Sequence, residues 1–150
     1  MNVFIGSDHA GYELKNALVD HLNQAGYAVV DVGARTLDAD DDYPKYAYGV
    51  AVKILGEQDS DGAHGILICG SGQGMSIAAN RVSGIRAALA WNVDSARNAR
   101  TDDNANVLVL PAHYLDAPAA IEAVDAWLHA TFNADPKYQR RLDELEQLYG

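Results

Sequence analysis

Cys69 is the single cysteine in 150 residues, and it closes the apolar run Ile66-Leu67-Ile68 just ahead of Gly70-Ser71-Gly72-Gln73-Gly74-Met75. A thiol in that setting is either a small apolar filler or, once ionised, a base and nucleophile. Its place favours the second use, because a strand end beside the start of a helix lets the helix dipole stabilise a thiolate. The glycines at 70, 72 and 74 leave backbone N–H groups bare, so the loop is suited to hold an anion or a developing oxyanion. A thiolate next to such a cradle can remove a carbon-bound proton. Two cofactor readings are weak here. Met75 stands where the last glycine of G-x-G-x-x-G belongs, and no Gly-Lys-Ser/Thr follows to make a P-loop.

A second group of polar residues lies in Gly6-Ser7-Asp8-His9-Ala10-Gly11, which sets a carboxylate and an imidazole where a first strand turns into a helix. Taken alone, Asp8 is an ordinary helix cap and His9 an exposed ring. The other candidates are Tyr43, in Asp42-Tyr43-Pro44, then Asp102-Asp103-Asn104, His113, and the basic group Lys137, Arg140 and Arg141. In so acidic a chain, basic side chains gathered on the last helix are a candidate phosphate clamp, arginine offering the planar fork that phosphate fits.

These residues need a scaffold, and the hydrophobic pattern describes one. Val/Ile-rich runs alternate with helical periodicity, which predicts an α/β chain with a parallel sheet covered on both faces. Strands are expected at Val3–Ile5, Ala28–Val30, Ile66–Ile68, Ile85–Leu89 and Val107–Val109. Helices are expected from Tyr12 to Leu22, after Tyr43-Pro44, over Ser76–Asn80 and Ser95–Arg100, and finally over Ala117–Ala130 and Pro136–Leu148. Asp38–Asp42 reads as an acidic turn. Ligands of such sheets collect beyond the carboxyl ends of the strands, so the loops after strands one, three and four are expected to meet.

Composition narrows the partners. The length suits one domain over residues 1–150, and 49% hydrophobic residues suffice for a core. A formal net charge of −10 argues against nucleic acid and against an anionic membrane surface. No apolar run has the length of a membrane span, and Met1 leads straight into a strand without a basic leader, which reads as cytoplasmic. One cysteine forms no internal disulfide and no zinc-type cluster.

Together these stretches resemble the ribose-5-phosphate isomerase B family, which includes galactose-6-phosphate isomerase subunits. The likeness is carried by Gly6–Gly11, Asp42-Tyr43-Pro44, Ile66–Asn80, Gly84-Ile85-Arg86-Ala87-Ala88 and Asn106-Val107-Leu108. It implies a Rossmann-like three-layer sandwich with a five-stranded parallel sheet. It also implies a homodimer or a dimer of dimers, the C-terminal helix packing on the partner, with sites shared across the interface and no metal or organic cofactor. The expected reaction interconverts a small sugar phosphate, ribose 5-phosphate and ribulose 5-phosphate first, through a cis-enediolate. A tetrose or hexose phosphate, or a binding protein without turnover, are the alternatives.

By that resemblance Cys69 is the base, Ser71 exchanges protons between the two oxygens, and backbone N–H groups from Gly70 through Gly72 and Gln73 to Gly74 hold the enediolate. Asp8 and His9 would hold substrate hydroxyls or the phosphate, and Tyr43 would line the pocket. The chain departs from the family at three positions. The ring-opening histidine of a His-Asn pair is replaced by Asp102, followed by Asp103. A phosphate-binding arginine beyond the fifth strand is His113. Of two C-terminal arginines, the first is Lys137 and the second Arg141.

Overall fold

The computed structural model describes residues 1–57 and 62–150. One parallel sheet contains β1 (Asn2–Ser7), β2 (Ala28–Gly33), β3 (Ala63–Cys69), β4 (Ala87–Leu89) and β5 (Val107–Pro111). Around it lie α1 (Tyr12–Gln24), α2 (Pro44–Gly56), α3 (Gln73–Ala79), α4 (Val93–Thr101), α5 (Ala117–His129) and α6 (Pro136–Tyr149), with a short 3-10 turn at His9–Gly11. The spatial order is β2-β1-β3-β5-β4, so the winding reverses between β1 and β3. That reversal opens a crevice at the carboxyl ends of those two strands.

Burial explains the layers. β1 and β3 are covered on both faces and read as unbroken apolar runs. Val3, Ile5, Ile66 and Ile68 face one layer, where they meet Leu14, Leu18, Ala96, Ala99 and Trp127 of α1, α4 and α5. Phe4, Leu67 and Cys69 face the other, against Ala47, Val50, Ile54, Met75 and Ala79 of α2 and α3. This is the expected three-layer α/β fold. Trp127 is the largest fully buried side chain, and its ring meets the buried His64 edge-on at 5.1 Å between centroids.

Several boundaries moved from the sequence expectation for local reasons. α3 starts at Gln73, three residues before Ser76, because Gly72 adopts φ +76° and turns the chain directly into the helix. α4 starts at Val93 because Asn92 and Ser95 form a reciprocal capping box. β4 starts only at Ala87. Ile85 N–H closes a turn onto Val82 O, and Arg86 N–H donates to Asn106 Oδ1 instead of continuing the strand.

β4 is also an edge strand, and its outward-facing Ala87 has no strand beside it. The Asn80 side chain takes both groups: Asn80 Nδ2 donates to Ala87 O at 2.8 Å, and Ala87 N–H donates to Asn80 Oδ1 at 2.9 Å. On the other side of the sheet the ammonium of Lys15, fully buried on α1, is held by Asp31 of β2. α6 stands apart. Its stripe Leu142, Leu145, Leu148 and Tyr149 keeps only Leu142 buried. Among the described residues no helix is long and apolar enough to cross a membrane.

Candidate active site

β3 and β5 end level with one another, Cys69 opposite Pro111. Cys69 is buried at 5% exposure, with α3 starting four residues on. Ala112 N–H donates to Cys69 O and His113 N–H donates to Gly70 O, both at 2.9 Å, and this tight return lays the His113 ring on the Gly70 backbone. A Cβ at position 70 would stand 2.6 Å from His113 Cε1. Tyr43, from the end of the acidic turn, covers Gly74 in the same way, with its Cζ 2.7 Å from where a Cβ would be. The cradle is therefore walled by two rings, each admitted by a missing side chain. Gly72 is required for its backbone conformation, and a Cβ there would also collide with Leu89. Ser71 and Gln73 are exposed at the rim, with Gln73 N–H donating to Ser71 Oγ at 3.4 Å.

The expectation that the loop after the fourth strand joins this site needs correction. β5 lies between β3 and β4, so the loop after β5, carrying His113, is the direct neighbour of the cradle. The end of β4 contributes only Leu89, from beneath Gly72.

The loop after β1 packs on the same strand end. Asp8 N–H donates to Ile68 O at 3.4 Å, and Gly11 lies so close to Ile68 that a Cβ would meet its side chain at 2.6 Å. Asp8 is buried and its carboxylate caps the turn, accepting from Ala10 N–H at 3.0 Å and Gly11 N–H at 3.3 Å. His9 is exposed but not free. Its Nδ1 lies 2.8 Å from Asp41 Oδ1, and that same oxygen accepts the His9 main-chain N–H at 2.9 Å. The second oxygen of Asp41 accepts the Tyr46 hydroxyl at 3.0 Å.

This arrangement sets the charges. The hydrogen bond to Asp41 raises the His9 imidazole above its ordinary value, with Asp8 adding to the effect and partial desolvation opposing it. Burial works to raise the Asp41 carboxyl, but the hydrogen bonds from His9 and Tyr46 outweigh it and the net shift is downward. Burial and the adjacent carboxylate push the Tyr46 phenol up. Neither Asp41 nor Tyr46 was a sequence candidate. Asp41 is one aspartate in a run of similar ones and Tyr46 sits in an apolar helical stripe, so the only signal was the brief spacing between them.

The remaining candidates gather at the opposite end of the sheet. Asp102 caps the carboxyl terminus of α4 and accepts from Thr101 Oγ1 at 2.9 Å; Asp103 follows, exposed, before β5 begins. The four-step rise along β5 from Val107 to Pro111, about 13 Å, separates this end from Cys69. α6 is tethered here, because Asn133 N–H donates to Thr101 O at 2.9 Å. Lys137 pairs with Asp135 at 3.2 Å, and Arg141 lies over the Tyr138 ring at 5.4 Å. A cavity of about 480 Å³ is lined by Arg86, Asp103, Leu142, Leu145 and Tyr149 among others, with Arg86 reaching Glu146 at 3.6 Å. The structure thus brings together Asp8, His9, Tyr43, Cys69, the cradle residues and His113. It sets Asp102, Asp103, Lys137, Arg140 and Arg141 apart from them. Among the described residues no group of three or more His, Cys, Asp or Glu side chains is placed to hold a metal ion.

A doubly wound sheet with a thiol, a glycine cradle and a carboxylate-held histidine at its switch point defines an α/β enzyme acting on a small anionic substrate. The family model described as Ribose/Galactose Isomerase matches residues 3–145. Ribose-5-phosphate isomerase B of Mycolicibacterium paratuberculosis is 42% identical over 147 residues, 98% of this chain and 91% of the relative. The crystal structure of ribose-5-phosphate isomerase B from Mycoplasma genitalium with bound ribulose-5-phosphate superposes with a TM-score of 0.92 at 43% identity, covering 98% of this chain and 95% of that one. The Thermotoga maritima ribose 5-phosphate isomerase structure gives 0.90 at 42% identity, covering 97% of both chains. The chain belongs to the ribose/galactose isomerase family and is an aldose–ketose isomerase.

Proposed function

We propose that this chain interconverts ribose 5-phosphate and ribulose 5-phosphate in the cytoplasm, as one isomerase domain over residues 1–150 that works as a homodimer. The observation that carries the reading is the placement of Cys69 between the glycine cradle and the His9 turn, at the switch point of the sheet. The likeness to a relative that holds ribulose 5-phosphate supports the substrate.

In this reading the open aldose lies across Gly70–Gly74. The Cys69 thiolate removes the proton on C2, and the charge moves onto the oxygens as a cis-enediolate. The cradle N–H groups stabilise that charge, each such donor being worth about 3 kcal/mol in comparable sites. Ser71 carries a proton between the two oxygens, and Cys69 returns its proton to C1 to give the ketose. His113 and Tyr43 wall the pocket, and Asp8 and His9 approach the hydroxyls and phosphate. Asp102, Asp103, Lys137 and Arg141 reach the substrate from a second copy, in keeping with the strand's length that sets Asp102 and Asp103 off from the thiol within one chain. Covering the apolar stripe of α6 in that dimer would also give Leu145 and Leu148 a partner.

The test uses sugar phosphates in heavy water. Deuterium wash-in together with ketose formation from ribose 5-phosphate supports the proposal. Preference for a tetrose or hexose phosphate changes the substrate, and binding without wash-in makes the chain a sugar-phosphate-binding protein.

A further inference from the structure

We propose that Arg86 is a positioning residue for the isomerisation, its guanidinium joining the Asp102–Asp103 turn to α6 so that both segments meet a second copy as one surface. The inference rests on the isomerase reading above, which sends Asp102, Asp103, Lys137 and Arg141 into a partner's site, and it names what holds them in register. Arg86 touches no substrate and acts through those residues.

The turn closes without this arginine. Asn104, at φ +48°, reverses the chain, Asn104 N–H donates to Arg100 O at 3.2 Å, and Ala105 N–H donates to Ala99 O at 2.9 Å. Side chains then add a second set of bonds. Just ahead of β4, Arg86 Nε donates to Asn104 O at 3.1 Å, while its main-chain N–H donates to Asn106 Oδ1 at 2.8 Å. Asn106 Nδ2 in turn donates to Gly84 O at 2.8 Å, and Arg100 Nη1 takes the next carbonyl, Ala105 O, at 3.3 Å. The main chain directly after Asp102 and Asp103 is thus pinned, and the two carboxylates carry none of these bonds.

The other arm of the guanidinium reaches α6, where Arg86 Nη1 lies 3.6 Å from Glu146 Oε1. Among the described residues no other hydrogen bond or ion pair joins a side chain of α6 to another element. A cavity of about 480 Å³ lies between the helix and the body, with Arg86 in its wall, so this contact decides how the helix is rolled. Leu142 and Glu146 are four residues apart and share the face turned to the body, where Leu142 is buried. Lys137 and Arg141 are also four apart and form a second row, about 100° round the helix axis. Leu142 alone is a pivot on which the helix can roll. The charge pair one turn further on stops the roll, and with it sets the direction in which Lys137 and Arg141 point. Arginine suits the task because its planar fork serves a carbonyl and a carboxylate at once.

The experiment combines kinetics with subunit mixing. Arg86→Met keeps the apolar stem and removes both arms, so KM for ribose 5-phosphate should rise about ten-fold with kcat changed by no more than about three-fold. Mixing at substrate well below the wild-type KM then shows which half of the site is damaged. In hybrids with Cys69→Ala, the intact cradle of the Arg86→Met chain meets an intact turn and α6, so a 1:1 mixture should gain about five-fold in activity on exchange. Mixed with Arg141→Ala it should gain nothing, because both lesions lie in the same half. A merely structural lesion would stay with its own chain's cradle and give no gain with Cys69→Ala. That result, obtained while Cys69→Ala and Arg141→Ala complement each other, would overturn the proposal and leave the isomerase reading standing. Failure of that control pair after verified exchange would overturn the shared site, and this inference with it. Should Arg86→Met not fold, Glu146→Gln on the half-exposed side of the pair replaces it: KM should rise about two- to five-fold, with a gain of about two-fold on mixing with Cys69→Ala. An unchanged KM for Glu146→Gln would overturn the proposal as well.

Discussion

At the carboxyl end of the sheet each group of the candidate site is braced by its own chain: His113 by Gly70, Tyr43 by Gly74, His9 by Asp41 and Asp41 by Tyr46. At the amino end, among the described residues, the Asp102 carboxylate has only the neighbouring Thr101 hydroxyl, Lys137 is exposed beside Asp135, and Arg141 is exposed over Tyr138. In the proposed reading the contrast separates a half-site that performs chemistry from one that waits for a ligand. A base that removes a carbon-bound proton must be held in place beforehand, whereas a phosphate anchor can be ordered by the anion it grips. In the proposed dimer the loosely held half of one chain completes the braced half of the other.

Breaking the braced end should have the largest effect. Cys69→Ala should lower turnover about 10²- to 10⁴-fold with the melting temperature nearly unchanged, since a methyl group fills most of the thiol volume but accepts no proton. Well-folded protein with near wild-type isomerisation of ribose 5-phosphate would end the thiolate assignment. Breaking the loose end should chiefly affect binding. Arg141→Ala should raise KM for ribose 5-phosphate about ten- to a hundred-fold, in line with a charge-assisted hydrogen bond of about 1.5–3 kcal/mol, with less effect on kcat.

Mixing the two variants examines whether the ends meet. Random subunit exchange would leave about a quarter of the sites intact if each site draws on two chains. Assayed with ribose 5-phosphate well below its wild-type KM, where each variant alone is nearly silent, recovery toward that fraction of wild-type activity supports the shared site, and no recovery after verified exchange rejects it. A gentler change sharpens the same point: Asp102→His should raise kcat/KM for ribose 5-phosphate a few-fold, with little change in deuterium wash-in from ribulose 5-phosphate. Equal effects on both substrates, or a loss with ribose 5-phosphate alone, would show that Asp102 already serves as the ring opener.

The smallest effect belongs to the scaffold between the ends. Burial drives His64 down from 6.5 to about 4, helped by Arg100 and the chain's amino terminus, so the fold holds its ring neutral beside Trp127. Between those two pH values the unfolded chain binds the proton more readily. The stabilisation from neutral His64 is therefore complete above about pH 6.5 and drains away as pH falls toward 4. A scan of melting temperature over that window should fall more steeply for wild type than for His64→Phe; parallel curves would mean that His64 is protonated without penalty.

Much of this was legible in the sequence. Short Val/Ile runs alternating with helical periodicity pointed to a parallel sheet and its helices, and β1, β3 and β5 are buried as such runs predict, whereas β2 leaves Val30 exposed. The Cys69 loop was visible because glycine density beside a lone cysteine is rare in ordinary turns. The order of strands was not, since nothing in residues 85–111 states that β5 inserts between β3 and β4. Asp41 was hidden for a similar reason. Its partner His9 lies 32 residues earlier, across α1 and β2, and only the folded crevice brings them together. Local chemistry shows along a chain; a hydrogen bond between two loops does not.

Asn80 has a consequence for how the molecule meets others of its kind. An open sheet ends in two rows of unpaired main-chain groups, and such rows invite neighbours to add strands without limit. Here the three-residue β4 offers little to extend, and the amide of Asn80 imitates a sixth strand at Ala87, giving and taking one hydrogen bond each. The edge is thus closed by a side chain that cannot itself be lengthened. Association through this border by strand addition is blocked at its first residue.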